Sequence, residues 1–180
     1  MKEIIFAGFG GQGVLTGGLI LSFMAAEKDL ETTWMPAYGA TMRGGKANCV
    51  VKMGEVGGER IGNPLMGHAD ALIAMNEPSL DYLGKTKKGA VVIVNSHGVD
   101  ENYEYPSDKK VYKVDSVELA EKVSNEQGQN LVMLGAMMKV TELYPKDEAI
   151  DLMCKFFASK GKEKYNEKNI AAFLAGYDAV

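Results

Sequence analysis

Cysteine is scarce in this sequence, and so is arginine. The two cysteines, Cys49 and Cys154, stand far apart and form no CxxC pair, so neither a four-thiolate iron–sulfur cluster nor a structural zinc site is expected from this chain alone. No run of about 18 apolar residues occurs, which leaves no candidate membrane helix. The apolar stretch Ile4–Gly8 behind Met1-Lys2-Glu3 is too short for a signal peptide. A cytoplasmic, non-membrane protein is therefore expected. Acidic residues outnumber basic ones, 24 to 20, for a formal charge of −4, which argues against a nucleic-acid-binding surface. Of the 20 basic residues only Arg43 and Arg60 are arginine.

Glycine, by contrast, is abundant: 21 of 180 residues, against an average near 7%. Its placement is uneven. Six glycines fall between Gly8 and Gly18 and eight between Gly39 and Gly67. At about 150 residues per domain the chain is read as a single domain, residues 1–180, large enough to hold a core without disulfides or metal.

Lys2–Gly8 is a short β-branched and aromatic run that reads as a buried parallel strand. Val14–Lys28 has helix length with apolar residues all round. Strands are expected at Thr32–Ala37, Ala47–Met53, Ala69–Met75, Ala90–Asn95 and Lys109–Asp115, the last nearer an edge because lysines interrupt it. A helical stretch is expected over Ser79–Lys85. After Asp115 only helices are read: Ser116–Gln127 with Ser116 as cap, Asn130–Leu143, Asp147–Ser159 and Asn166–Ala179. Strands alternating with helices predict an α/β protein with three αβα layers around a mostly parallel sheet, Rossmann-like, with a helical C-terminus.

Gly8-Phe9-Gly10-Gly11-Gln12-Gly13 satisfies G-x-G-x-x-G directly after a strand and opens a helix. Such a turn suits an anion, because glycines let the backbone approach and the helix N-terminus presents free N–H groups. The remainder of a dinucleotide fingerprint is missing. It needs an acidic residue about 20 positions on, at the end of the second strand. Here that strand ends in Tyr38, and Glu31 stands at its beginning. A P-loop is excluded, since no Gly-Lys-Ser/Thr follows.

The second segment, Tyr38-Gly39-Ala40-Thr41-Met42-Arg43-Gly44-Gly45-Lys46, holds one of the two arginines, a side chain suited to forked recognition of phosphate or carboxylate. The loop after strand two lies at the same carboxyl edge of a parallel sheet as the loop after strand one, so the two glycine segments are expected to share one crevice. His68 and His97 have no ligand-spaced neighbours and read as loop residues. Met133, Met137 and Met138 read as core filling. No acid–base pair or nucleophile is recognisable.

Three segments together resemble one family, the gamma subunit or gamma domain of the 2-oxoacid:ferredoxin oxidoreductases. They are Ile5-Phe6-Ala7-Gly8-Phe9-Gly10-Gly11-Gln12-Gly13-Val14, Tyr38-Gly39-Ala40-Thr41-Met42-Arg43-Gly44-Gly45 and Asn130-Leu131-Val132-Met133-Leu134-Gly135-Ala136. The resemblance implies a multi-subunit oxidoreductase that converts a pyruvate-, 2-oxoglutarate- or 2-oxoisovalerate-type 2-oxoacid and coenzyme A into acyl-CoA and carbon dioxide, reducing ferredoxin. It implies that thiamine pyrophosphate and the iron–sulfur clusters sit on other subunits, in keeping with the absence here of a Gly-Asp-Gly…Asn thiamine signature. The partners it implies are alpha and beta subunits, with room for a delta, ferredoxin-type one, and a homodimer where these are missing. Within this chain it points to Gly10, Gly11, Gln12, Gly13, Arg43, Gly44 and Gly45 as the coenzyme A-facing residues, with no catalytic or metal-binding residue. Asn130 matches the pattern and reads as a helix cap. The short separate chain leans toward the 2-oxoglutarate or branched-chain members. The alternative reading is a stand-alone dinucleotide- or coenzyme A-binding protein.

Overall fold

Burial on both faces explains why the central strands are continuous apolar runs. The structure, a computed structural model, describes residues 1–39, 44–62 and 65–180. One six-stranded sheet runs through it in the order β2-β3-β1-β4-β5-β6. The strands are β1 (Lys2–Phe9), β2 (Glu31–Tyr38), β3 (Lys46–Gly54), β4 (Ala69–Ala74), β5 (Thr86–Asn95) and β6 (Lys110–Val114). β1, β4, β5 and β6 pair in parallel, while β3 is antiparallel to both neighbours, β1 and β2. Five strands therefore share one direction. The link between β2 and β3 is far too short for a crossover, so they form a hairpin, with Tyr38 opposite Ala47 and Glu31 opposite Gly54.

Five α-helices, α1 (Val14–Glu27), α2 (Ser116–Lys122), α3 (Gln129–Thr141), α4 (Lys146–Ser159) and α5 (Asn166–Tyr177), contribute to one core with the strand face of Ile4, Phe6, Cys49, Val51, Ile73 and Ile93. The other face, carrying Ile5, Ala7, Val50, Leu72, Val92 and Val94, is covered by Leu80 and Leu83 of a 3-10 segment, Glu77–Lys85, and by tyrosines such as Tyr82 and Tyr103. The layers are unequal, but the class, the dominant strand direction and the helical C-terminus are those expected. β6 is an edge strand, as its lysines suggested.

Two caps differ from expectation. Asp115, not Ser116, caps α2, its carboxylate accepting from the Glu118 N–H at 2.9 Å; the Ser116 N–H is instead taken by Asn95. Asn130 lies inside the first turn of α3, whose N-cap is Gly128. Its amide reaches across the molecule rather than back to its own helix. Met133, Met137 and Met138 are buried core residues. No described helix is long and apolar enough to cross a membrane.

Helix crossing in the C-terminal half depends on two glycines. A Cβ on Gly135 of α3 would fall on the Phe173 carbonyl of α5, and one on Gly176 of α5 on the Val132 carbonyl of α3. The two backbones are in direct contact there.

Candidate functional site

β1 ends at Phe9, and the chain must turn sharply to enter α1. Gly11 and Gly13 make the turn at φ 104 and 72, values in the left-handed region that side chains with a Cβ disfavour. Gly13 forms the N-cap of α1 without a side-chain cap, and no acidic residue sits in the first turn. The first-turn N–H groups of α1 therefore have no capping side chain.

The second glycine segment arrives at the same place because β2 runs in the direction of β1. The Gly10 N–H donates to the Gly45 carbonyl at 2.8 Å, and the Gly44 N–H donates to the Gly10 carbonyl at 3.1 Å. These bonds extend the β1–β3 ladder, in which Phe9 faces Lys46, beyond the last strand residue. The shared edge read from the sequence is thus formed by direct backbone pairing. Arg43 falls outside the described residues. Glu31 pairs with Gly54, at the opposite end of β2.

Gln12 does something its motif did not announce. Its side chain folds inward: Oε1 accepts from the Phe9 N–H at 2.7 Å and from Asn76 Nδ2 at 2.9 Å, and Nε2 donates to the Met75 carbonyl at 3.4 Å. Asn76 in turn caps the 3-10 segment through Ser79, at 3.1 Å to its N–H and 2.7 Å to its hydroxyl. Asn95 donates to the same Met75 carbonyl at 3.1 Å and accepts from the Ser116 N–H at 3.1 Å. Three amides thus bridge the carboxyl ends of β1, β4 and β5. That is the edge where open α/β sheets hold their ligands.

The open space lies on the helical side. A crevice of about 940 Å³ is lined by Gly11, Gln12 and Gly13 on one wall and by Asn125, Asn130, Lys162, Lys168 and Asn169 among others on the opposite wall. Asn130 Nδ2 donates to the Gly13 carbonyl at 3.1 Å and joins the walls. Of the expected site residues, Gly11, Gln12 and Gly13 line this crevice, whereas Gly10, Gly44 and Gly45 pair beside it. Asn125, Lys162, Lys168 and Asn169 come from three separate stretches and formed no motif.

Titratable chemistry at this edge is sparse. Burial pushes the Cys49 thiol from its ordinary value near 9 up to about 12, with Trp34 pulling weakly the other way. Such a thiol is protonated and unreactive at neutral pH. His97 Nδ1 is 3.6 Å from Asp115 Oδ2 but exposed to solvent. Among the described residues no group of three or more His, Cys, Asp or Glu side chains could hold a metal ion.

Fold and edge together define a Rossmann-like α/β domain in which the glycine turn into α1 lines a polar crevice. Residues 3–179 match the family described as pyruvate ferredoxin/flavodoxin oxidoreductase, and the chain belongs to that family. It is 35% identical over 177 residues to the ketoisovalerate oxidoreductase subunit VorA of Methanothermobacter marburgensis, a match that covers 98% of this chain and 36% of that protein. The 2-oxoglutarate synthase subunit KorC of Methanocaldococcus jannaschii is 33% identical over 182 residues, covering 99% of this chain and 94% of that one. The chain thus spans little more than a third of VorA but nearly all of KorC. Among solved structures, the keto/oxoacid ferredoxin oxidoreductase gamma subunit of Geobacter sulfurreducens superposes with a TM-score of 0.80 at 26% identity, covering 99% of this chain and 98% of its own.

Proposed function

We propose that this chain is the gamma subunit of a multi-subunit, cytoplasmic 2-oxoacid:ferredoxin oxidoreductase, and that its glycine edge faces coenzyme A. The complex would convert a 2-oxoacid and coenzyme A into acyl-CoA and carbon dioxide, with the electrons passing to ferredoxin. Thiamine pyrophosphate and iron–sulfur clusters supply the decarboxylation and electron transfer in such a complex. The two cysteines do not fit a cluster, Cys49 being buried in β3 and Cys154 half-buried in α4, and the chain carries no Gly-Asp-Gly…Asn thiamine signature. Both groups therefore fall to alpha, beta or delta partners.

The observation that carries the ligand reading is the pairing of Gly10 with Gly44 and Gly45. It brings Gly44 and Gly45, which follow Arg43 in sequence, to the edge beside the start of α1. Relatives named for ketoisovalerate and for 2-oxoglutarate match nearly the whole chain. That favours a role in what the enzymes share, coenzyme A, over recognition of the individual oxoacid. A subunit role is further supported by the edge strand β2, where Met35 and Tyr38 are exposed, and by exposed Val56 and Leu65 in the segment beyond β3.

A dinucleotide site is disfavoured by the position of Glu31 and by the inward fold of Gln12. Affinity purification of the chain from its native source tests the reading. Thiamine- and cluster-bearing chains should accompany it; recovery of the chain alone, active on a nicotinamide substrate, overturns it.

A further inference from the structure

At the amino edge of the sheet, the end of β1 away from the glycine turn, two hollows meet. From them we infer that this edge is a docking groove for an extended segment of a neighbouring subunit, with a carboxylate at one end, a cation at the other and apolar side chains between. The inference rests on the subunit reading above and adds a surface to it. One hollow, of about 270 Å³, is lined by Ile4, Ala71, Val91 and Val140, with Lys2, Lys87 and Lys88 as its charged rim. The other, of about 300 Å³, is lined by Leu30, Met53 and Tyr144, with Glu55 and Glu59 on its rim. Lys2 and Leu143 line both, so the two form one groove with opposite charge at its ends. Glu142, between Thr141 and Leu143 in sequence, is exposed and lines neither.

The basic end is built into the fold. Between the pairs Ala69–Thr86 and Ala71–Val91 the register of β4 and β5 shifts, so Asp70 stands opposite a bulge of Lys87, Lys88, Gly89 and Ala90. Gly89 takes φ 75 there, and its N–H donates to the Asp108 carbonyl at 2.7 Å. Lys109, its side chain only 7% exposed, staples the bulge by donating to the Thr86 and Lys87 carbonyls at 3.2 and 2.8 Å. Bulges re-aim side chains, and this one sets Lys87 and Lys88 at the hollow. Both oxygens of Asp70 are spent, on the Glu3 N–H and on Lys87 Nζ, each at 2.8 Å. Among the described residues Lys2 and Lys88 have no ion pair. At the acidic end Glu59 lies 3.9 Å from the Met1 amino group, and Val56, next to Glu55, is exposed.

The pattern of the groove selects its occupant. Small-molecule sites run to about 300–1,000 Å³, and each hollow is at or below the bottom of that range. A uniformly anionic surface, such as nucleic acid or membrane, would be repelled at Glu55 and Glu59. A polypeptide laid across the Lys2–Leu143 junction meets both hollows and both charges at once, with apolar anchors inside a charged rim.

Photo-crosslinking in the assembled complex tests the groove. The probe is p-benzoylphenylalanine introduced at Lys88 or at Glu55 of this chain, with Lys164 as the control position. The Lys88 and Glu55 probes should link to one stretch of a neighbouring subunit, mapped by peptide mass spectrometry. That stretch should carry acidic residues toward the Lys88 adduct and basic ones toward the Glu55 adduct, and the Lys164 probe should not reach it. Association of the purified chain with its neighbours, followed by interferometry, should weaken about tenfold or more in Lys2→Glu with Lys88→Glu. Glu55→Lys with Glu59→Lys should do the same, through like-charge contact, and each at unchanged melting temperature. Binding of the unaltered chain should also weaken as salt rises. Crosslinks to a second copy of this chain or to unrelated stretches overturn the inference, as does undiminished association of both charge-reversed variants. In those cases the complex still assembles and the subunit reading stands; failure of the unaltered chain to associate at all overturns both.

Discussion

Asn130 Nδ2 donates to the carbonyl of Gly13 at 3.1 Å across 117 residues of sequence, and the same side chain fills the space above Gly13 where a Cβ would stand. The nearest Asn130 atoms are 2.8 Å from that position. The start of α3 thereby holds the turn that starts α1.

The two residues should be energetically coupled. Asn130→Ala leaves the Gly13 carbonyl with only the Gly17 N–H, at 2.9 Å, and should cost about 1 kcal/mol. Gly13→Ala should cost more, because the new methyl meets Asn130 and φ 72 is strained for alanine. In the double variant the collision with the Asn130 amide is relieved, leaving the residue-130 Cβ at 3.1 Å and the backbone strain. Denaturant unfolding of all four proteins should show a double mutant less destabilised than the sum of the singles; strict additivity would mean that the contact carries no energy.

At the α3–α5 crossing, alanine would gain roughly 1 kcal/mol of helix propensity over glycine. The atoms met by the new methyls are backbone carbonyls of the facing helix, which cannot swing aside. Gly135→Ala and Gly176→Ala should each be destabilising by about 1–3 kcal/mol net, a fall in Tm of several degrees at this chain length. A Tm at or above that of the unaltered protein would refute the close approach.

Alkaline pH should weaken the fold before neutral or mildly acidic pH does. Burial raises both the Cys49 thiol and the Tyr144 hydroxyl to about 12, from ordinary values near 9 and 10. Both groups hold their protons more tightly when folded, so their contribution is complete below about pH 9 and is lost as pH rises toward 12. Urea midpoints should be level from about pH 7 to 8.5 and fall by about pH 11. Cys49→Ala should flatten part of that fall.

Arg43 directly precedes the paired Gly44 and Gly45 in sequence, and the proposed role predicts a specific kinetic effect. In the reconstituted complex, Arg43→Ala should raise KM for coenzyme A about tenfold, the loss of a charged hydrogen-bonding contact of about 1.5 kcal/mol. KM for the oxoacid should be unchanged, and Arg43→Lys should restore only part, because lysine lacks the planar fork. An unchanged coenzyme A KM removes Arg43 from the site.

Local signals were sufficient for the strands, the glycine turn and the C-terminal helices. Ile4 and Phe6 face one core while Ile5 and Ala7 face the other, so β1 had to be apolar from Ile4 to Ala7. Likewise Gly11 and Gly13 had to be glycine because their backbone angles are positive. The convergence of the two glycine segments followed from β2 running alongside β1 in direction, a property of topology that the α/β pattern already implied. Other features depend on partners remote in sequence. The reversal of β3, the inward fold of Gln12 onto Met75 and Asn76, and the reach of Asn130 to Gly13 each join segments that carry no mark of one another. Sequence by itself determined which residues are apolar, flexible or charged, and hence the fold and the family. Only the tertiary structure decided which amides find their partners within the protein, because hydrogen-bond satisfaction is a property of neighbours in space.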